Sequence, residues 1–201
     1  MKKLVFIITI LALVAGCKNA NTNKNHEEAA DATVEKVIKP ISKERIFVYQ
    51  GIDNVGDTIP DTENGMAFIN EYDIENNLTT TIGYVLEDGV SYIDFKNVAE
   101  YANGAISKMH NINDEGDTTT VFMENGKWKA KRGNAVRNAP DGFQPSMRVI
   151  VEELDNGKCQ MDGGVSGRFT KYDEDGRWIE AIMSGGTFIV IAKREILATH
   201  Q

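Results

Sequence analysis

Tyr84-Val85-Leu86-Glu87-Asp88-Gly89-Val90-Ser91-Tyr92-Ile93 places two short runs of strand-favouring side chains on either side of an Asp-Gly step. Such a step accepts the positive φ values that a two-residue hairpin needs at its central positions. The pattern returns three times. Glu124-Asn125-Gly126 follows Val121-Phe122-Met123, Asp155-Asn156-Gly157 follows Val149-Ile150-Val151, and Glu174-Asp175-Gly176 precedes Trp178-Ile179. Strands joined by tight turns pair antiparallel, so four such turns specify a meander. The turns have no fixed spacing, which gives no support for a solenoid or propeller.

Outward from these turns, strands are expected near 45–50, 65–73, 78–86, 90–96, 118–124, 127–132, 146–154, 158–162, 166–173, 177–184 and 187–193. Ser184-Gly185-Gly186 supplies the last turn. Phe188-Ile189-Val190-Ile191-Ala192 is apolar on both faces, as an interior strand covered twice would be. A helix is expected over 98–110. There Val98, Tyr101, Ala102, Ala105 and Met109 fall at helical spacing, and Asn97 with Glu100 forms a capping-box pattern. The expected fold class is therefore mainly β with one helix: an antiparallel meander, arranged as a small barrel or a curved two-layer sheet.

The N-terminus follows a different logic. Lys2 and Lys3 precede the apolar run Leu4–Val14, which only Thr9 interrupts, and small residues lead to Cys17. A charged start, a short apolar core and a small-residue exit make a secretory signal, too short to span a bilayer. Val14-Ala15-Gly16-Cys17 resembles the lipobox of bacterial lipoproteins. The resemblance covers the leader alone. It implies cleavage before Cys17, a thioether-linked diacylglycerol on that cysteine and, in many bacteria, an amide-linked acyl chain such as palmitate. Two or more chains anchor stably, where one gives marginal binding. Lys18 after the anchor and the Asn/Lys-rich stretch behind it resemble the sorting pattern of outer-membrane lipoproteins in Gram-negative cells, with the leaflet left open.

Three segments follow: 1–16, a signal peptide that is removed; 17–42, a lipidated flexible tether; and 43–201, a single β-rich domain. The tether is rich in Asn, Lys, Glu, Ala and Thr and cannot bury enough apolar surface to offset its ordering entropy. About 160 residues remain, a length that suits one domain. Net charge is −8; without Lys2 and Lys3, 20 basic residues face 30 acidic ones, giving −10. That balance argues against nucleic acid as a partner and leaves membrane contact to the acyl chains. With Cys17 acylated, Cys159 has no cysteine partner, so the domain must be stabilised by its core.

Chemistry-bearing patterns are sparse. His26 lies in the tether and His200 is penultimate, leaving His110 at the expected helix end. Cys159 reads as a small buried hydrophobe, and a Cys159–His110 dyad has no local signature. Asn111-Ile112-Asn113-Asp114-Glu115-Gly116 begins like a calcium loop but meets Phe122 where a bidentate carboxylate is required. Asp53, Asp57, Asp61 and Glu63 read as solvated turn residues. No metal site and no cofactor are expected. Lys127, Lys129 and Lys131 alternate with Trp128 and Ala130, followed by Arg132 and Arg137. On a strand the three lysines share one face. They read either as a contact, with Arg132, for an anion or an acidic partner, or as an edge strand protected against self-association.

The functional expectation is a membrane-tethered, non-catalytic envelope module that binds a small ligand or another envelope protein. The alternatives are an envelope hydrolase whose carboxylate site is not visible in spacing, and a structural or assembly lipoprotein. The anchor is directly testable. Cys17→Ser is expected to abolish acylation and release the protein into the soluble fraction, read by fatty-acid labelling and fractionation. Unchanged labelling of the mutant contradicts the anchor.

Overall fold

The computed structural model describes residues 38–50, 65–161, 163–185 and 188–201. The leader with Cys17, the tether up to residue 37, the acidic stretch Asp53–Glu63 and Gly186 lie outside the described residues. What is described belongs to one compact unit, Val37–Gln201.

The strands are β1 Ile41–Gln50, β2 Gly65–Tyr72, β3 Leu78–Glu87, β4 Val90–Ala102, β5 Ala105–Asn113, β6 Thr118–Glu124, β7 Lys127–Arg132, β8 Ala135–Asn138, β9 Glu152–Leu154, β10 Lys158–Met161, β11 Val165–Tyr172, β12 Trp178–Gly185 and β13 Phe188–Thr199. All thirteen form one antiparallel sheet in the order β8-β7-β6-β5-β4-β3-β2-β1-β13-β12-β11-β10-β9. The chain thus lays down two meanders, and pairing of β1 with β13 fuses them. The mainly β, antiparallel expectation holds. β8 and β9 do not pair, so the sheet is not closed into a barrel.

The turn chemistry is as expected. Gly89, Gly126, Gly157 and Gly176 have φ of 75°, 73°, 70° and 77°. The helix over 98–110 is overturned: β4 and β5 occupy that stretch and pair across a turn at Asn103 (φ 54°) and Gly104 (φ 73°). The cause of the misreading is a bulge. Glu100 pairs with Lys108 but Tyr101 with Ile106, so Ser107 is an extra residue that breaks the two-residue period. Tyr101, Ile106, Ala99 and Met109 then all reach one cluster, at spacings that imitate a helical stripe.

Residues 146–154 are also not the expected single strand. Only Glu152–Leu154 pairs, and the thirteen residues 139–151 form a crossover from β8 to β9, the two outermost strands. Laid flat, thirteen strands at 4.8 Å would separate those edges by about 58 Å. Fourteen Cα steps reach at most about 50 Å. The sheet must therefore curl for the crossover to reach, and the crossover lies as a strap on one face of it.

The apolar residues of the strap choose that face. Met147 joins Ala99 and Met109. Ile150 and Val151 enter the main core with Ile46, Val48, Phe68, Cys159, Val165, Trp178, Met183 and Val190. Arg148 lies 5.7 Å from the centre of the Phe95 ring. Phe95 in turn fills the space above Gly83, where an added Cβ would sit 2.4 Å from the ring. Ile150 is 3% exposed and Val149 56%. Ile150→Ala is expected to cost about 2–4 kcal/mol in urea unfolding, while Val149→Ala stays within about 0.5 kcal/mol. Equal losses at the two positions contradict a one-sided strap.

Candidate functional site

On the strapped face, register builds a row of polar side chains across the sheet. Glu44 pairs with Asn70, Asn70 with Thr81, Thr81 with Asn97, Asn97 with Asn111, Asn111 with Thr119, and Thr119 with Arg132. Directly paired residues share a face, so all seven project to the same side.

The first half of this row is buried and internally satisfied. Glu44, Asn70 and Thr81 are 2%, 3% and 0% exposed. Glu44 Oε1 accepts hydrogen bonds from Asn70 Nδ2 at 2.9 Å and from Tyr72 Oη at 2.7 Å. Glu44 Oε2 accepts from Arg194 Nε at 2.6 Å, and Asn70 Oδ1 accepts from Thr81 Oγ1 at 3.1 Å. The Arg194 guanidinium also stacks 5.0 Å above the Trp178 ring, itself stacked on Phe169. Burial, followed by the negative charge of Glu44 and the hydrogen bond to it, pushes the Tyr72 phenol well above its ordinary value.

Two open clefts border this network. One, of about 320 Å³, is lined by Glu44, Asn70, Tyr72, Ile150, Glu153 and Arg194 among others. The other, of about 440 Å³, shares Tyr72, Asn76, Glu153, Trp178 and Arg194 and adds Ile38–Ile41 and Arg177. Arg177 is tied to Asp175 at 3.2 Å and to the carbonyl of Lys39 at 2.8 Å. His200 N donates to the Pro40 carbonyl, so both ends of the described domain meet beside this cleft. The first strand, β1, starts at Ile41.

The second half of the row is open. Asn97, Asn111 and Thr119 are half-buried and floor a groove of about 270 Å³, closed by Phe95 on one side and by Arg132 and Asp117 on the other. Arg132 Nη2 donates to Asp117 Oδ2 at 2.7 Å. Sequence reading missed both halves, because the row exists only through register. Its one local signal is a five-residue loop that occurs three times, at 73–77, 113–117 and 173–177. In each, the first side-chain oxygen accepts from the fifth backbone N–H, at 2.8, 2.7 and 2.9 Å. The fourth residue of each, Asn76, Gly116 or Gly176, has positive φ. Asp or Asn followed three residues later by Asn or Gly is readable without a structure.

The residues singled out from sequence are dispersed. Cys159 is fully buried in the main core, and burial raises its thiol pKa. His110 is not at a helix end but within β5, with Nδ1 3.0 Å from Thr120 Oγ1 and Nε2 3.7 Å from Glu100. Seven strands lie between β5 and β10, and the two side chains project from opposite faces, which rules out a Cys159–His110 dyad. Within the calcium-like loop, Asn113 Oδ1 accepts from Asp117 N, and Asp117 is bound to Arg132.

Lys127, Lys129 and Lys131 do share one face of β7, but Arg132 projects to the other. β7 pairs with β6 and with β8, so it is not an edge strand and its lysines do not guard one; β8 is outermost. Lys129 is bound to Glu124.

Compared with known proteins, the chain matches no family model, no curated protein and no solved structure.

The buried network carries a pH signature. A phenol held neutral in the fold stabilises fully below its unfolded value of 10.0, and that stability is lost as pH rises beyond it. Tyr72→Phe is expected to cost about 1 kcal/mol at neutral pH and to flatten the decline in stability above pH 10. Denaturant midpoints between pH 7 and 11 check this. An unchanged alkaline slope in the mutant contradicts the burial of Tyr72 against Glu44.

Proposed function

We propose that this chain is a membrane-tethered lipoprotein of the bacterial envelope whose β domain is a non-catalytic binding module. The observation that carries the reading is the saturation of Glu44. It is the most deeply buried carboxylate of the clefts, and both its oxygens are taken by Asn70, Tyr72 and Arg194. A general acid or base must exchange a proton with a substrate, and a nucleophile needs a free lone pair. Glu44 offers neither without breaking a buried ion pair. Tyr72 is held neutral by the same environment. Clefts of this size suit small ligands, in the range of about 300–1,000 Å³.

The hydrolase alternative has one observation behind it. Glu44, Glu152 and Glu153 line the same cleft, and paired carboxylates are what glycoside hydrolysis requires. Glu152 accepts a hydrogen bond from Gln160, leaving Glu153 as the carboxylate with no hydrogen-bond or ion-pair partner among the described residues. A single unengaged carboxylate beside a saturated one favours binding over turnover.

In this reading Cys17 carries the lipid and the protein sits at the outer membrane. Of the basic candidates, Lys127 and Lys131 remain available to an anionic partner, because Lys129 and Arg132 are committed to Glu124 and Asp117. The test is to incubate full-length protein, isolated in detergent, with envelope glycan and lipid fractions and to follow both phases by mass spectrometry. Retention of a component that is recovered unchanged is expected. A cleavage product that disappears in Glu153→Gln contradicts the non-catalytic reading.

A further inference from the structure

We propose that the groove over Asn97, Asn111 and Thr119 is a subsite for an uncharged polyhydroxylated ligand, a neutral glycan. The proposal rests on the reading of the domain as a binding module and names the ligand class.

The Glu44-Asn70-Thr81 half of the polar row is buried, and its side-chain hydrogen bonds close inside the protein. Its other half continues in register but emerges beyond the strap, where Met147 covers Ala99 and Met109 one side-chain row away. Asn97, Asn111 and Thr119 are half-buried, and none has a side-chain hydrogen-bond partner among the described residues. Half-burial without a partner leaves donors and acceptors whose satisfaction must come from water or a ligand.

Chemistry selects the ligand. Each Asn amide offers two N–H donors and a carbonyl acceptor, and Thr119 offers a hydroxyl that does both. Neighbouring sites that both donate and accept match sugar hydroxyls, which do the same. An anion would instead need donors and net positive charge. Among the described residues that line the groove, Arg132 is the one cation; it is neutralised by Asp117, and Asp94 adds a further negative charge. Phe95, packed between Gly83 and Arg148, gives the groove an apolar wall. Three strand spacings from Asn97 to Arg132 make the row about 14 Å long. That length accommodates more than one sugar ring.

Full-length lipidated protein, in a detergent without a sugar headgroup, would be titrated calorimetrically with chitotetraose, cellotetraose and maltotetraose, with dextran sulfate as the anionic probe. At least one neutral tetrasaccharide is expected to bind with Kd of about 1 mM or tighter. Its affinity should be unchanged between about 0.05 and 0.5 M salt, since no net charge is engaged. Asn111→Ala is expected to weaken binding about tenfold or more. Thr119→Val, which keeps side-chain shape and the β propensity of the strand, should weaken it several-fold with unchanged far-UV and near-UV dichroism. Absence of binding by all three neutral probes overturns the proposal. So does binding restricted to dextran sulfate and lost at high salt. Neutral binding untouched by both variants places the glycan elsewhere, refuting the groove while leaving the binding-module reading intact. Cleavage of a bound tetrasaccharide refutes the non-catalytic reading and not the groove.

Discussion

The covalent connection from Asn138 to Glu152 is the constraint on which the rest of this structure depends. Thirteen residues must join the two outermost strands of a thirteen-stranded sheet, and a flat sheet would be wider than they can reach. Curling brings the edges within reach and creates a concave face, and the strap then supplies the apolar cover that face needs. Ile150 and Val151 plug the centre, where β1, β2 and the C-terminal strands meet, while Met147 serves the smaller cluster on β4 and β5. A sheet with one face covered by a strap rather than by a second sheet leaves a large share of its strand surface to solvent. Exposed apolar side chains such as Tyr92, Ile93 and Val136 belong to that surface.

Because the strap is narrow, it divides one polar row into two chemical situations. Beneath and beside it, Glu44 is deprived of water and demands Asn70, Tyr72 and Arg194 as substitutes. Breaking such a buried pair leaves a charge stranded, with a cost of about 3–5 kcal/mol. The network also crosses the β1–β13 seam, since Glu44 is on one strand and Arg194 on the other. It therefore helps to specify how the two meanders join. Past the strap the same register presents amides and a hydroxyl to solvent, and a structural ladder becomes a surface that can recognise a ligand.

Much of the fold was legible because its turns are local. Asp88-Gly89 and Asn125-Gly126 announce themselves by residue type, and the backbone adopts positive φ at both positions of each. Asn103-Gly104 carries the same signal, yet the extra residue Ser107 breaks the alternation behind it and leaves apolar residues at helical spacing. Val149-Ile150-Val151 reads as a strand by composition, but its three side chains do not alternate between two faces of a ladder: Ile150 and Val151 are both buried against the sheet. Lys127, Lys129 and Lys131 were placed on one face correctly. Whether their strand lies at an edge depends on β8, a four-residue strand joined to β7 by the two-residue turn Gly133-Asn134, a hairpin step that was overlooked beside the four Asp-Gly and Asn-Gly turns. Of the candidate groove, only the Asn113–Asp117 loop that borders it was legible. Asn97, Asn111 and Thr119 are unremarkable polar residues until antiparallel pairing sets them side by side.

The two meanders form one cooperative sheet, fused at β1–β13 and held by the strap. Native-state hydrogen exchange tests it most directly. Amides of Ile46, Val48, Ala192 and Arg194 should exchange last and with a common free energy equal to that of global unfolding, because these strands lie at the centre of the sheet. If β9–β13 instead lose protection together while β2–β8 remain protected, the halves are separate units and the account is contradicted.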